Sequence, residues 1–291
     1  MTIIASKPPL VIFHGNCSDG MCAAWVASGV LPTTTEFRAW NYSDPPPDRS
    51  LYEDRHVLVV DFSFPRATLV EMAGHCILQV IDHHKTAAAD LADLPFCTFD
   101  MKRSGAGMTW DILRGGWKRP WVIDYIEDRD LWRNALPNST EIVAALHELP
   151  RAASGRQVTP QMFEEWDEAL VAGPARAIVA GTYHMRTAQR LAGETAAKAV
   201  FAELGGHIAA VASGSVLFSD AADILCKAPM PNGQLPDLGA VFYATSDWRW
   251  TYSLRSRGDV DVSAIAKQFG GGGHAAAAGF TVKELVHKHI D

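Results

Sequence analysis

Short apolar runs alternate with helical patterns through the first 135 residues of the chain. The run LVIF (10–13) predicts a buried strand, followed by a glycine-containing loop and the helix-like MCAAWVASG (21–29). HVLVVDFSF (56–64) predicts a second strand, and RATLVEMAG (66–74) predicts a helix stopped by glycine. CILQVIDHH (76–84) predicts a third strand whose apolar character ends abruptly at Asp82, His83 and His84, ahead of another helix-like segment. Strands rich in β-branched residues, separated by helices, predict a doubly wound, mostly parallel α/β sheet.

From 104 to 200 the pattern is mainly helical: SGAGMTWDILRGG, PWVIDYIEDRDLW, TEIVAALHEL, TPQMFEEWDEALVAG and a long Ala-rich run that starts at Ala175 and stops at Gly205–Gly206. That last run has no proline before Gly205–Gly206 and predicts a helical connector. Strand-like HIAAVAS, LGAVFYAT and WRWTYSLRS and a capped helix DVSAIAKQF follow, so a smaller α/β domain is expected. The expected boundaries are 1–185 for the first domain, 186–205 for the connector and 206–291 for the second domain.

In doubly wound sheets, functional groups gather beyond the carboxyl ends of the strands. His14 and Asp19 follow the first strand, Asp61 the second and Asp82–His84 the third, so three strands deliver Asp or His to one end. Carboxylate oxygen with imidazole nitrogen suits Mn²⁺, Fe²⁺, Zn²⁺ or Co²⁺ better than Ca²⁺. An Asp at a strand end can hold two ions at once, and Asp61 is the candidate bridge.

Charge narrows the partner. A formal net charge of −7 argues against coating long duplex DNA, and leaves short anionic ligands open. Five cysteines without a CxxC pair indicate neither a disulfide framework nor a zinc knuckle. The chain shows no apolar run of membrane-spanning length and its start lacks a signal-peptide layout, so a cytoplasmic protein with no membrane partner is expected.

The ordered motifs HGNCSDG (14–20), VVDFS (59–63), Asp82-His83-His84, EDRD (127–130) and FGGGGHAAAAGF (269–280) resemble the DHH phosphoesterase superfamily with a C-terminal DHHA1 domain. The resemblance runs over about 10–280. It implies a Mn²⁺-dependent phosphoesterase using two ions in an interdomain cleft, with short single-stranded oligonucleotides or nucleotides as substrates. It further implies His14 and the residue at 17 as ligands of one ion, and Asp19, His83 and Asp128 as ligands of the other. Asp61 would bridge, Asp82 would orient His83, and His84 would face the scissile phosphate. Asp130 is the reserve for Asp128, since one helical turn lets only one of the pair face the site readily.

Cys17 stands where the family's first motif has Asp, and a thiolate there would favour softer ions. Arg255, Ser256, Gly271, Gly272, Gly273 and His274 are the expected substrate-binding residues of the second domain, because guanidinium groups and Cβ-free backbone suit phosphate. Arg103 and Ser104 are expected to add phosphate contacts. Trp132 is read as core packing, with base stacking the alternative. A dinucleotide hydrolase, cyclic or linear, and a 3′,5′-bisphosphate nucleotidase are alternatives of the same fold; a non-catalytic nucleotide sensor is the alternative of another class. Homodimerisation is a further expectation.

Overall fold

A computed structural model describes all residues except 1–4, 132, 154, 215–216, 258–259 and 291. Trp132 therefore lies outside the described residues. The chain divides into two compact units, Met1–Tyr183 and His184–Asp291.

The first unit is built on five parallel strands: β1 (Leu10–His14), β2 (Glu36–Trp40), β3 (His56–Val60), β4 (Ile77–Asp82) and β5 (Cys97–Phe99), in the order β2-β1-β3-β4-β5. Helices α1 (Ser18–Ser28), α2 (Arg49–Tyr52), α3 (Arg66–Ala73), α4 (Lys85–Leu91), α5 (Gly105–Arg114), α6 (Trp121–Asp130) and α7 (Ser139–Leu146) follow in chain order. Alternate residues of β1 feed two cores. Val11 and Phe13 pack among residues of α1, α5 and α6, while Leu10 and Ile12 pack with Leu69 and Met72 of α3. A parallel sheet covered on both faces explains why its strands read as continuous apolar runs.

Register sets what comes next. Phe13 pairs with Val60 and Val60 with Ile81, so His14, Asp61 and Asp82 stand level at one end of the sheet. The strand order reverses between β1 and β3, the switch point where doubly wound folds bind ligands.

Three elements depart from the sequence reading. The strand expected over 56–64 stops at Val60, because Asp61 takes a left-handed φ of 53°. Edge strands β2 and β5 are additional to the three expected; β2 (EFRAW) is only half-buried, and β5 has three residues. The long helix α8 (Pro160–Ala196) breaks at Gly173, ahead of Pro174, and ends nine residues before the Gly pair.

The residues between them include β6 (Val200–Leu204), the first strand of the second unit. The alternation in VFAEL suits a strand, and Gly205 and Gly206 (φ 60° and 86°) form the two-residue turn of a hairpin to β7 (His207–Ser213) rather than a helix stop. The rest comprises α9 (Phe218–Leu225), β8 (Leu238–Ala244), β9 (Trp250–Arg255), α10 (Val262–Gln268), β10 (Gly272–His274), β11 (Ala277–Val282) and β12 (Lys288–His289). Its sheet runs β10-β11-β9-β8-β7-β6-β12, antiparallel except for the β7–β8 pair. The second unit is thus an α/β domain as expected. Among the described residues no helix is long and apolar enough to cross a membrane.

Candidate metal centre

The left-handed turn at Asp61 brings its buried carboxylate into a ring of polar groups from separate segments. Asp61 Oδ1 lies 3.0 Å from His83 Nε2, and Oδ2 lies 3.8 Å from His14 Nδ1. The same His83 nitrogen is 3.5 Å from Asp130 Oδ2 and 3.8 Å from Asp19 Oδ2. Three ligand groups result: His14, Cys17 and Asp61; Asp61, His83 and His84; Asp19, His83 and Asp130. Asp61 belongs to the first two and His83 to the last two.

The α5 N-terminus secures Asp19. Its two carboxylate oxygens accept from Gly105 N at 2.6 Å and Ala106 N at 3.0 Å, both otherwise orphan amides of a helix start. Gly105 also lies against Asp61: a Cβ there would stand 2.4 Å from the Asp61 Cβ. The SGAG stretch carried this signal in the sequence, a helix start of small residues, but nothing in its pattern named the carboxylates it would meet.

Asp82 is fully buried and differs from expectation in its target. Its Oδ1 accepts from His84 Nδ1 at 2.6 Å and from the His83 and His84 amides at 2.7 and 3.2 Å, and Oδ2 accepts from Ser63 at 2.5 Å. It therefore orients the His84 ring and fixes the strand-end turn, not the His83 ring. His84 remains about one-third exposed. Tyr42, which the sequence reading missed, packs edge-on to both His14 and His84, with ring centroids 5.5 and 5.8 Å away.

Asp128 is a second correction. It faces away from the ligand groups and accepts from Ala135 N, Leu136 N and the Ser139 hydroxyl, at 2.9, 3.3 and 2.6 Å. The two residues from Asp128 to Asp130 turn the helix by roughly 200°, so the reserve, Asp130, is the carboxylate that reaches His83.

Crowded carboxylates shape the electrostatics. Burial, and then the charges of Asp19, Asp130 and Asp82, push the Asp61 carboxyl well above its ordinary value. Asp130 is raised to about 6, by burial and by Asp19. Burial, followed by the Asp61 and Asp19 charges, pushes the Cys17 thiol far up. Burial and then His84 lower His14. Asp61 Oδ2 is a buried oxygen with no hydrogen-bond partner among the described residues. A buried orphan oxygen among like charges is costly unless a cation meets it, so the donor set fits divalent ions of the carboxylate–imidazole kind. Cys17 has its sulfur within reach of the first group.

The remaining predicted residues fall elsewhere. Arg103 is bound to Glu127, with Nε 2.9 Å from Oε2, and to Asp111. Ser104 is fully buried and caps α5, its hydroxyl accepting from Gly107 N at 3.1 Å. Ser104 is thus engaged within the fold, while one Arg103 Nη has no hydrogen-bond partner among the described residues. In the second unit Arg255, Ala277 and His274 align across β9, β11 and β10, with Gly272 and Gly273 in the same edge hairpin and Gly271 just before it. His274 is exposed, and Arg255 donates to Ser219 Oγ at 2.7 Å. Ser256 is buried and donates to the Val260 carbonyl at 2.7 Å, closing a turn instead of facing outward.

Comparison with known proteins agrees with this architecture. Residues 228–290 match the DHHA1 domain family. Uncharacterized protein R106 of Acanthamoeba polyphaga mimivirus is 25% identical over 302 residues, covering 93% of this chain and 66% of that protein. The chain thus spans slightly under two thirds of that relative's length. Among solved structures, the pGpG-specific phosphodiesterase PggH from Vibrio cholerae is similar, with a TM-score of 0.50 at 13% identity, over 95% of this chain and 93% of that one. RecJ from Thermus thermophilus in complex with Mn²⁺ gives a TM-score of 0.49 at 17% identity, over 96% of this chain and 50% of that one. Fold and site together define a two-domain α/β protein with a carboxylate–imidazole centre at its parallel-sheet switch point. The match over 228–290 places a DHHA1 domain in the second unit, and the chain shares its fold with PggH.

Proposed function

We propose that the protein is a divalent-metal-dependent phosphodiesterase acting on short oligonucleotides or small nucleotide phosphodiesters. The observation that carries this reading is the Asp61 carboxylate, buried at the switch point and shared between ligand groups from separate segments, with one oxygen otherwise unpartnered. His14, Cys17 and Asp61 would hold one ion, and Asp61, Asp19, His83 and Asp130 a second. Such a pair lowers the pKa of water and offsets charge on a phosphoryl group. Mn²⁺ is the preferred ion on the family resemblance, and it suits the mixed oxygen and nitrogen donors.

The chain's own residues supply orientation. Asp82 fixes the Nδ1 side of His84, so its Nε2 edge is left to meet the phosphate being cleaved. The α5 amides keep both Asp19 oxygens in place. Tyr42 limits how far the His14 and His84 rings can turn. The Arg255–His274 edge of the second unit is proposed to bind an anionic nucleotide group. Release of nucleoside monophosphate from linear and cyclic dinucleotides and from a 3′,5′-bisphosphate, with added Mn²⁺, tests the reading against Asp61→Ala. Equal product from both proteins, or none from the wild type on every substrate, rejects it.

A further inference from the structure

Helix α5 starts at the metal centre, where Gly105 lies against Asp61, and ends at Arg114. A rise of about 1.5 Å per residue carries that far end about 14 Å away from Asp61. There the segment WDILRGGWKR (110–119) sets two tryptophans among basic residues.

The fold arranges them as a fixed stack. The Arg114 guanidinium carbon lies 5.9 Å from the ring centroids of both Trp110 and Trp117, within cation–π range. Gly116, at a φ of 88°, reverses the chain behind α5. The Trp117 amide then donates to the Arg114 carbonyl at 3.0 Å, and the Trp110 indole N–H to the Trp117 carbonyl at 3.4 Å. Arg114 is tied from its other side to the Gly29 carbonyl at the end of α1, and its buried Nε has no hydrogen-bond partner among the described residues.

Trp110 packs partly into the core, but Trp117 is 71% exposed, and Lys118 beside it is exposed as well. A large apolar ring held in place yet left in water contributes little to the core, so its open face points to a ligand. Asp111, the acid of α5, is occupied by Arg103 and by Arg119, whose Nη2 lies 2.9 Å from Oδ1. Among the described residues no carboxylate pairs with Arg114 or Lys118, so positive charge stands uncancelled beside an open π-face in a chain of net charge −7. Aromatic faces flanked by cations hold single-stranded nucleic acid: bases stack on the rings and phosphates meet the cations. A duplex keeps its base faces covered, so the stack favours an unpaired strand.

We infer that Trp117, Arg114 and Lys118 form an accessory surface for single-stranded nucleic acid, engaging the strand beyond the nucleotides at the metal centre. This rests on the phosphodiesterase reading and narrows its substrate class to strands longer than about four nucleotides, because about 14 Å equals about four steps of roughly 3.4 Å along a stacked strand.

The test compares a ten-nucleotide oligoadenylate, as RNA and as DNA, with the dinucleotide of the same base. Equilibrium binding is measured with metal chelated, and kcat/KM in Mn²⁺. The wild type is expected to bind the longer strand more tightly, and Trp117→Ala to lose about tenfold of that gain, the size of one base stacked on an aromatic side chain. Trp117→Phe keeps most of the gain, and Lys118→Gln flattens the fall of log affinity with log salt by about 0.7, one phosphate contact on a single strand. Trp248→Ala removes an indole that is 85% exposed on the turn after β8, and leaves the gain unchanged. The ratio of long to short substrate is the quantity that decides, since a merely structural role would move both together. A Trp117-dependent gain with either RNA or DNA supports the surface. No gain with length in the wild type, a gain that survives Trp117→Ala, or equal losses in Trp117→Ala and Trp248→Ala overturns it. If the strand binds through Trp117 yet no substrate is cleaved, the hydrolase reading falls and the surface stands; if cleavage is normal and Trp117→Ala changes nothing, the surface falls and the hydrolase reading stands.

Discussion

Gly105→Ala is the smallest change that bears directly on the metal centre. The added methyl would stand 2.4 Å from Asp61 Cβ, 2.7 Å from Oδ1 and 2.8 Å from Cγ. Carbon pairs prefer about 3.5–4.0 Å, so either Asp61 or the first turn of α5 must retreat by about 1 Å. Asp61 is fully buried, starts from a left-handed backbone and is tied through its amide to the Ile81 carbonyl at 2.9 Å, so it yields poorly. If α5 yields instead, the Gly105 and Ala106 amides leave Asp19, and hydrogen bonds to a charged group are worth about 1.5–3 kcal/mol each. Overpacking of this kind costs about 1–3 kcal/mol, and a 1 Å misplacement of a catalytic group costs about 10²-fold in rate. The expected outcome is a folded protein with weakened Mn²⁺ binding, read as a smaller Mn²⁺-induced rise in Tm, and turnover reduced about 10²-fold. Gly193→Ala in α8 is the control: nothing lies within 4 Å of its added methyl, so the change is neutral or stabilising by up to about 1 kcal/mol. Wild-type Mn²⁺ response and turnover in Gly105→Ala would refute the argument that Asp61 and α5 are wedged together.

Further outcomes follow from the carboxylates. Asp128→Asn is expected to lower stability by about 1–3 kcal/mol while leaving the Mn²⁺ response in place, whereas Asp130→Asn weakens that response with little loss of stability; calorimetry with and without Mn²⁺ separates the two. Burial alone would raise Asp128, but the Ser139 hydroxyl and the 135 and 136 amides outweigh it and hold the carboxyl low, so its stabilisation is present at neutral pH and lost as pH falls through the acid carboxylate range. Asp61→Asn is expected to abolish the Mn²⁺ response and to raise the Tm of chelator-treated protein, each kcal/mol gained being about 2–4 °C for a domain of this size. Asp61 and Asp130 are raised, so the stability they add is full below about pH 4 and is lost as pH rises through the folded value, about 6 for Asp130. Chelated wild type therefore melts higher near pH 5 than near pH 7, and a flat profile would contradict the crowding of charges.

What the sequence disclosed was governed by period and by position along the chain. β1, β3 and β4 announced themselves because a parallel sheet buried on both faces needs unbroken apolar runs, and the polar residues that stop those runs are the site. His14, Asp61, Asp82 and His83 were legible for that reason. Edge strands β2 and β5 lack such runs and were silent. The choice between Asp128 and Asp130 depends on the rotation of α6, set by what caps its far end: Ser139 and the 135–136 amides capture Asp128, a contact across a loop that no local pattern encodes. Asp82 and its two histidines show the same limit at closer range, since adjacent residues differ only in which ring the carboxylate reaches.

The strand VFAEL shows how helical propensity lost to packing. Its alanine and Glu203 extend an Ala-rich helix in composition, yet Ala202 and Leu204 are fully buried against Ala209 and Val211 of β7, while Glu203 points outward. Period two is present across those five residues, but it is too short to stand out from the helix before it. The Gly205–Gly206 pair resolves the ambiguity physically. Positive φ at both positions closes a two-residue hairpin, which brings Leu204 back over His207 and supplies strand pairing that a continuing helix would forgo. The second unit therefore begins its sheet where composition alone favours one more turn of helix.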